Sequence, residues 1–132
     1  MTFNDILHKF RSESFTQKDK GTQFERLMRS WLLSDPRYSN LTKVWLWDDF
    51  PSRADLGGKD TGIDLVARTE EGDYWAIQCK CYKEDSVIDK PAVDSFLATS
   101  SRQFKDPETL QTTSFAKRMW ISTTNHWGKN AE

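Results

Sequence analysis

Two short β-prone runs constrain this chain more than anything else in it. The first, over 63–67, reads Ile63, Asp64, Leu65, Val66, Ala67; the second, over 74–80, reads Tyr74, Trp75, Ala76, Ile77, Gln78, Cys79, Lys80. Branched and aromatic side chains favour extended backbone, and the polar, glycine-containing residues 68–73 between the runs suit a turn, so the pair predicts an antiparallel hairpin. Side chains alternate between the faces of a strand, which puts Gln78 and Lys80 on one face and Trp75, Ile77 and Cys79 on the other. In such a hairpin Asp64 can reach the point on which Gln78 and Lys80 converge. Aspartate is depleted in strand interiors, so a carboxylate between Ile63 and Leu65 asks for a reason.

Around this hairpin the apolar spacing predicts helices. Phe3, Ile6, Leu7 and Phe10 recur at helical intervals, giving a short amphipathic helix with Thr2 or Asn4 near its start. After the polar residues 11–21, Thr22 is placed to be an N-cap with Glu25 three positions on. Phe24, Leu27, Met28, Trp31 and Leu32 then form the buried stripe of a second helix, which must end before Pro36. A β-prone run over 44–47 follows, and residues 48–62 read as an exposed loop. Pro91 suits a first helical turn, with Val93, Phe96 and Leu97 on one face, and Arg118 to Ser122 reads as a further strand. The order helix, helix, strands, helix, strand predicts an α/β fold with a central mixed sheet flanked by helices.

The 132 residues suffice for one core, and neither a repeat nor a low-complexity segment divides them. No apolar run approaches the roughly 20 residues of a membrane-spanning helix, and the N-terminus lacks the pattern of a secretory signal, so the expected setting is cytoplasmic, without a membrane. Cys79 and Cys81, two apart in an extended segment, point the same way and are expected to be reduced thiols. With His8 and His126 far off in sequence they fall short of a zinc pattern. A net charge of −1 means that any attraction to a polyanion has to come from a local basic face.

The hairpin residues carry a specific chemistry. Hydrolysis of a phosphodiester needs a hard cation to neutralise the phosphate and polarise water, and carboxylate and amide oxygens are the ligands magnesium prefers. Asp64 and Gln78 supply two such ligands, and Lys80 adds a positive charge where negative charge develops in the transition state. The alternation of Gln78 and Lys80 is equally that of a solvent-facing strand.

The residues Gly62, Ile63, Asp64, Leu65, Val66, Ala67, followed by Tyr74 through Gln78, Cys79, Lys80, Cys81 and Tyr82, resemble the GIDL and IQCK signatures of Mrr-like restriction endonucleases. These belong to the PD-(D/E)XK nuclease superfamily, in which the Mrr-like branch carries glutamine where others have glutamate. Gly21, Thr22, Gln23, Phe24, Glu25, Arg26 and Leu27 resemble the family's first-helix pattern, placing Glu25 at the position whose carboxylate approaches the metal; Met119 to Thr124 resembles a later core strand. The N-terminus is also similar to the opening of single-chain Type ISP restriction-modification enzymes. The resemblance implies a restriction-endonuclease-like core and a DNA endonuclease with Asp64, Gln78, Lys80 and Glu25 catalytic. Asp64, Gln78 and Glu25 would hold Mg2+, for which Mn2+ can substitute. It further implies that residues 1–132 are one nuclease domain, an N-terminal fragment of a larger protein acting on double-stranded DNA. ATP and S-adenosylmethionine would then serve helicase-like motor and methyltransferase regions elsewhere in the same polypeptide. Consistently, no GxxxxGK[ST] phosphate loop occurs in these residues. The superfamily's proline is missing near Asp64.

Lys59, Lys83, Lys90 and Arg102 are the candidate DNA-phosphate contacts, and Asp60 a candidate for a second cation or a water. Two other readings stay open on the residues alone: a non-catalytic DNA-binding or docking domain with a nuclease-like fold, and a protein-interaction domain suggested by near-neutral charge and six tryptophans.

Overall fold

In the computed structural model, residues 17–57, 62–80 and 90–122 are described. Helix α1 (Gln17–Ser34) buries Phe24, Met28 and Leu32 completely, the stripe their four-residue spacing dictates. It begins earlier than expected: Thr22 is an exposed residue inside the helix and not its N-cap. Among residues 17–21 only Gly21 resists helical geometry, at a cost of roughly 1 kcal/mol, which the buried stripe beyond it offsets. The helix ends where Pro36 requires: Asp35 turns to extended backbone and its carboxylate caps a 3-10 turn by accepting from Arg37 N at 2.9 Å.

The strands are β1 (Leu41–Leu46), β2 (Leu65–Thr69), β3 (Tyr74–Lys80), β4 (Gln103–Lys105) and β5 (Thr112–Ser122), with helix α2 (Lys90–Ser100) between β3 and β4. They form one sheet in the order β1-β2-β3-β5-β4. The predicted hairpin is β2–β3, antiparallel with Leu65 opposite Ile77 and Ala67 opposite Trp75. β1 joins β2 and β4 joins β5 antiparallel, while β5 runs parallel to β3, so the sheet is mixed.

Each face of the sheet has its own core. On one, Phe24, Met28 and Leu32 of α1 pack on Leu65, Ala67, Ile77, Cys79 and Ile121; on the other, Val66, Tyr74 and Ala76 meet Phe96 of α2 together with Trp47, Phe50, Phe104 and Phe115. The alternation of β3 therefore fills both cores from one strand. A register shift in β5, where Phe115 pairs with Tyr74 but Lys117 pairs with Trp75, inserts one residue and lets Phe115 and Trp120 serve the same core.

Several expectations need correcting. β1 starts at Leu41 and ends at Leu46, and Trp47 opens a 3-10 turn, Trp47–Asp49, instead of finishing the strand. The stretch over 48–62 is not simply an exposed loop, because Phe50, Ser52 and Leu56 are buried in it. Asp64 sits immediately before β2 and not within it. The β4 strand was not foreseen, nor the length of β5. The helix expected over 3–10, together with Lys59, Asp60, Cys81, Lys83 and His126, lies outside the described residues.

Candidate functional site

At the end of the sheet where β1 runs out and β2 begins, an open cavity of about 570 Å3 is lined by four segments of the chain. Thr22, Glu25 and Arg26 come from α1; Leu46, Trp47, Asp48 and Asp49 from the end of β1 and its turn; Gly62, Ile63 and Asp64 from the segment entering β2, with Gln78 from β3. The structure thus brings together Glu25, Asp64 and Gln78, three of the four residues that the sequence singles out. The fourth, Lys80, lies two residues beyond Gln78 on β3, at the register position opposite Ser122; the placement of its ammonium group is outside the described atoms.

Asp64 is fixed by backbone on both sides. Its N–H donates to Ile77 O and its carbonyl accepts from Trp47 N, both at 2.9 Å, so it is tied to β3 and to the end of β1 at once. Its carboxylate accepts the N–H of Cys79 at 2.8 Å through Oδ2. The regular β2–β3 ladder ends at Leu65 and Ile77, and this side-chain bond continues it by one step.

The Gln78 side chain is only 3% exposed, and its amide lies against Gly62 O and Asp64 Oδ2. With its nitrogen turned toward them it donates to both, to Asp64 Oδ2 at 3.2 Å. The opposite orientation would set its oxygen against two acceptors, so the donating orientation is the one its surroundings satisfy, and the amide oxygen becomes available to a cation when the amide turns over. Burial first, and then the charges of Asp64 and Glu25, push the Cys79 thiol well above its ordinary range. Cys79 is a buried free thiol, kept neutral, on the face opposite Gln78.

Gly62 makes this approach possible. Its φ is +78°, a left-handed conformation, and a Cβ added there would lie 3.0 Å from the backbone N of Phe96 and 3.1 Å from its Cα. Any larger residue here would be strained at this φ and would push the segment carrying Asp64 away from α2 by a few tenths of an ångström.

Of the remaining candidates, Lys90 is paired with Asp94 along α2, and Arg102 reaches the Asp55 carbonyl at 3.4 Å; neither lines the cavity. The sequence reading missed Asp48 and Asp49, which line it, and passed over Arg26 beside Glu25. Nothing in an aperiodic loop marked the two aspartates.

The residue types suit a hard, oxygen-preferring cation: the Asp64 and Glu25 carboxylates line one cavity with Gly62 and Gln78, whose amide offers an oxygen ligand when it turns over. Among the described residues no three His, Cys, Asp or Glu side chains are grouped to hold a metal ion. A cation here would accordingly depend on the amide of Gln78 and on retained water, which magnesium tolerates well.

The fold matches a known class. Residues 33–132 match the restriction endonuclease family Mrr_cat_2, and the chain belongs to that family, with its mixed five-stranded sheet as the restriction-endonuclease-like core. The match takes in Asp64, Gln78 and Lys80, whereas Glu25 lies ahead of it. Among solved structures the chain is similar to the ATP-dependent Type ISP restriction-modification enzyme LlaBIII bound to DNA, with a TM-score of 0.64 and 28% identity over 99% of this chain. The chain spans 7% of the length of that enzyme. Comparison with curated proteins gives no match.

Proposed function

We propose that this chain is a DNA endonuclease domain of a Type ISP restriction-modification enzyme, hydrolysing phosphodiester bonds with a divalent cation, Mg2+ or Mn2+, at Asp64, Gln78 and Glu25. The observation that carries the reading is the meeting of those three side chains in one cavity of a restriction endonuclease fold. When bound, the cation would neutralise the phosphate and lower the pKa of attacking water. Asp64 supplies a carboxylate whose orientation is set by the Cys79 N–H, so little reorganisation is left for the moment of reaction. Gln78 supplies a neutral oxygen, and Glu25, on a helix packed against the sheet, brings a second carboxylate to the same cavity. Lys80, further along β3, stabilises the charge that grows on the phosphoryl oxygens. Hydrolysis forms a bond from the water oxygen to phosphorus and breaks the phosphorus bond to the leaving sugar oxygen, which takes up a proton.

Double-stranded DNA is the substrate, and the motor and methyltransferase regions that use ATP and S-adenosylmethionine belong to other parts of the polypeptide. LlaBIII, bound to DNA and ATP-dependent, supports this assignment. The setting is the cytoplasm; among the described residues no helix is long and apolar enough to cross a membrane.

The test is nicking of supercoiled plasmid by the full-length parent with ATP and Mg2+, comparing wild type with Asp64→Ala and Lys80→Ala. Loss of cleavage by at least about 100-fold in both, with ATP turnover retained, is the expected result. Undiminished cleavage by both folded variants would move the chemistry elsewhere and leave this domain a docking or DNA-holding module.

A further inference from the structure

We propose that Arg26 binds the DNA backbone phosphate that enters the cavity, an assignment that rests on the nuclease reading above. The cavity is lined by four carboxylates, those of Glu25, Asp48, Asp49 and Asp64, and among the described residues Arg26 is the one cationic side chain facing them. A divalent cation held there would neutralise the reacting phosphate, and the neighbouring backbone phosphates still meet a wall of carboxylates that a fixed cationic side chain beside them offsets.

Arg26 is exposed, and it stands apart from every other described arginine. Arg29 donates to Val44 O, Arg53 to Phe50 O, Arg102 to Asp55 O and Arg118 to the hydroxyls of Ser100 and Ser101, while Arg37 and Arg68 pair with Asp35 and Glu108. Arg26 enters no ion pair among the described residues, although Glu25 is its neighbour in sequence. Its donors are thus not committed to holding the fold. Its location is nevertheless fixed: one turn on, Arg29 Nε donates to Val44 O at 2.7 Å, and the flanking Phe24 and Met28 are fully buried, so α1 cannot rotate Arg26 out of the cavity mouth. A guanidinium presents a planar fork of N–H donors that matches two phosphate oxygens, which suits it to a backbone phosphate beside the reacting one.

The experiment uses the full-length parent and supercoiled plasmid, measuring the single-turnover cleavage rate across a series of salt concentrations, with ATP turnover and melting temperature followed in parallel. The variants are Arg26→Ala, Arg26→Lys and Asp64→Ala. We expect Arg26→Ala to slow cleavage roughly tenfold, with ATP turnover and melting temperature unchanged. Its salt dependence should be shallower by about one, and Arg26→Lys should recover most of the rate. Wild-type cleavage by Arg26→Ala alongside a dead Asp64→Ala would overturn the role of Arg26 and leave the nuclease reading standing. Equal loss in Arg26→Ala and Arg26→Lys, with an unchanged salt slope, would also overturn it, by showing a structural role. Cleavage by Asp64→Ala would remove the nuclease reading, and this proposal with it.

Discussion

Strand β3 has an acidic group at each end, and the two are built in opposite ways. At the Tyr74 end, Asp106 is 6% exposed, and its Oδ1 accepts from the Tyr74 hydroxyl at 2.8 Å, from Glu108 N at 2.8 Å and from Thr109 N at 3.2 Å. Next to it Glu108 bridges Arg68 at 2.6 Å and Lys43 at 3.2 Å, tying the β4–β5 connection to β1 and β2. At the Gln78 end, the Gln78 amide and the Cys79 N–H donate to the Asp64 carboxylate, and the carboxylates of Glu25, Asp48, Asp49 and Asp64 line one open cavity. One cluster sets its carboxylates against N–H donors and cations, and the other gathers four carboxylates with Arg26 as the one cation among the described lining residues. Buried polar groups of the first kind hold a fold together, whereas the second kind suits a ligand that brings positive charge.

The electrostatics of the Asp106 end follow from that matching. Burial pulls its carboxyl upward, but the hydrogen bonds from Glu108, Tyr74 and Thr109, with the nearby charge of Arg68, outweigh burial and hold it below the usual carboxylate range. Burial, and then the bond to Asp106, push the Tyr74 hydroxyl well up, so it stays a donor. The largest effect that would break the comparison is therefore on stability. Asp106→Ala strands the Tyr74 hydroxyl and two backbone N–H groups, and should cost about 2–4 kcal/mol in denaturant unfolding while leaving cleavage per folded molecule unchanged. Because the folded pKa lies below the unfolded value of about 3.9, the contribution of Asp106 is complete above that value and is lost as pH falls through the lower, folded one. The variant's unfolding free energy should accordingly lose that part of the wild-type acid dependence. A variant as stable as wild type would erase the distinction between the two ends.

Gly62→Ala sharpens the comparison from the other side, since Gly62 belongs to the acceptor-rich end yet also touches α2. Its positive φ and the 3.0 Å approach to Phe96 make an added methyl cost about 1–3 kcal/mol in thermal unfolding. Here cleavage should fall as well, because any relief of the contact moves the Asp64 segment. Lost stability with full cleavage would show that the segment's placement is not what the chemistry needs.

Much of this was legible beforehand, for identifiable reasons. The β2–β3 hairpin, the stripe of α1 and the placement of α2 each rest on a local period with a local stop, such as Pro36 after α1 and the glycine-containing turn between the strands. The convergence of Asp64 with Gln78 follows from alternation. What was hidden depends on contacts distant in sequence. β4 has only three residues and β5 opens on Thr112, Thr113 and Ser114, so neither showed a period. Phe50 and Leu56 are isolated apolar residues in a polar loop, and their burial comes from Tyr74, Phe104 and the rest of the second core. Asp48 and Asp49 reach the cavity because the chain turns at Trp47, and Asp106 gains its meaning from Tyr74, thirty-two residues earlier.

The most direct test of the account is titration calorimetry of Mn2+ into the chain, comparing wild type with Asp64→Asn and Gln78→Glu. Asn is close to Asp in shape and can still accept from Cys79 N, so the fold is left intact while the charge is removed. The account predicts saturable binding by wild type, binding roughly tenfold tighter in Gln78→Glu, where a carboxylate replaces the amide, and none in Asp64→Asn. Undiminished binding by Asp64→Asn would contradict it, placing the cation away from the end of β3 where Asp64 and Gln78 meet.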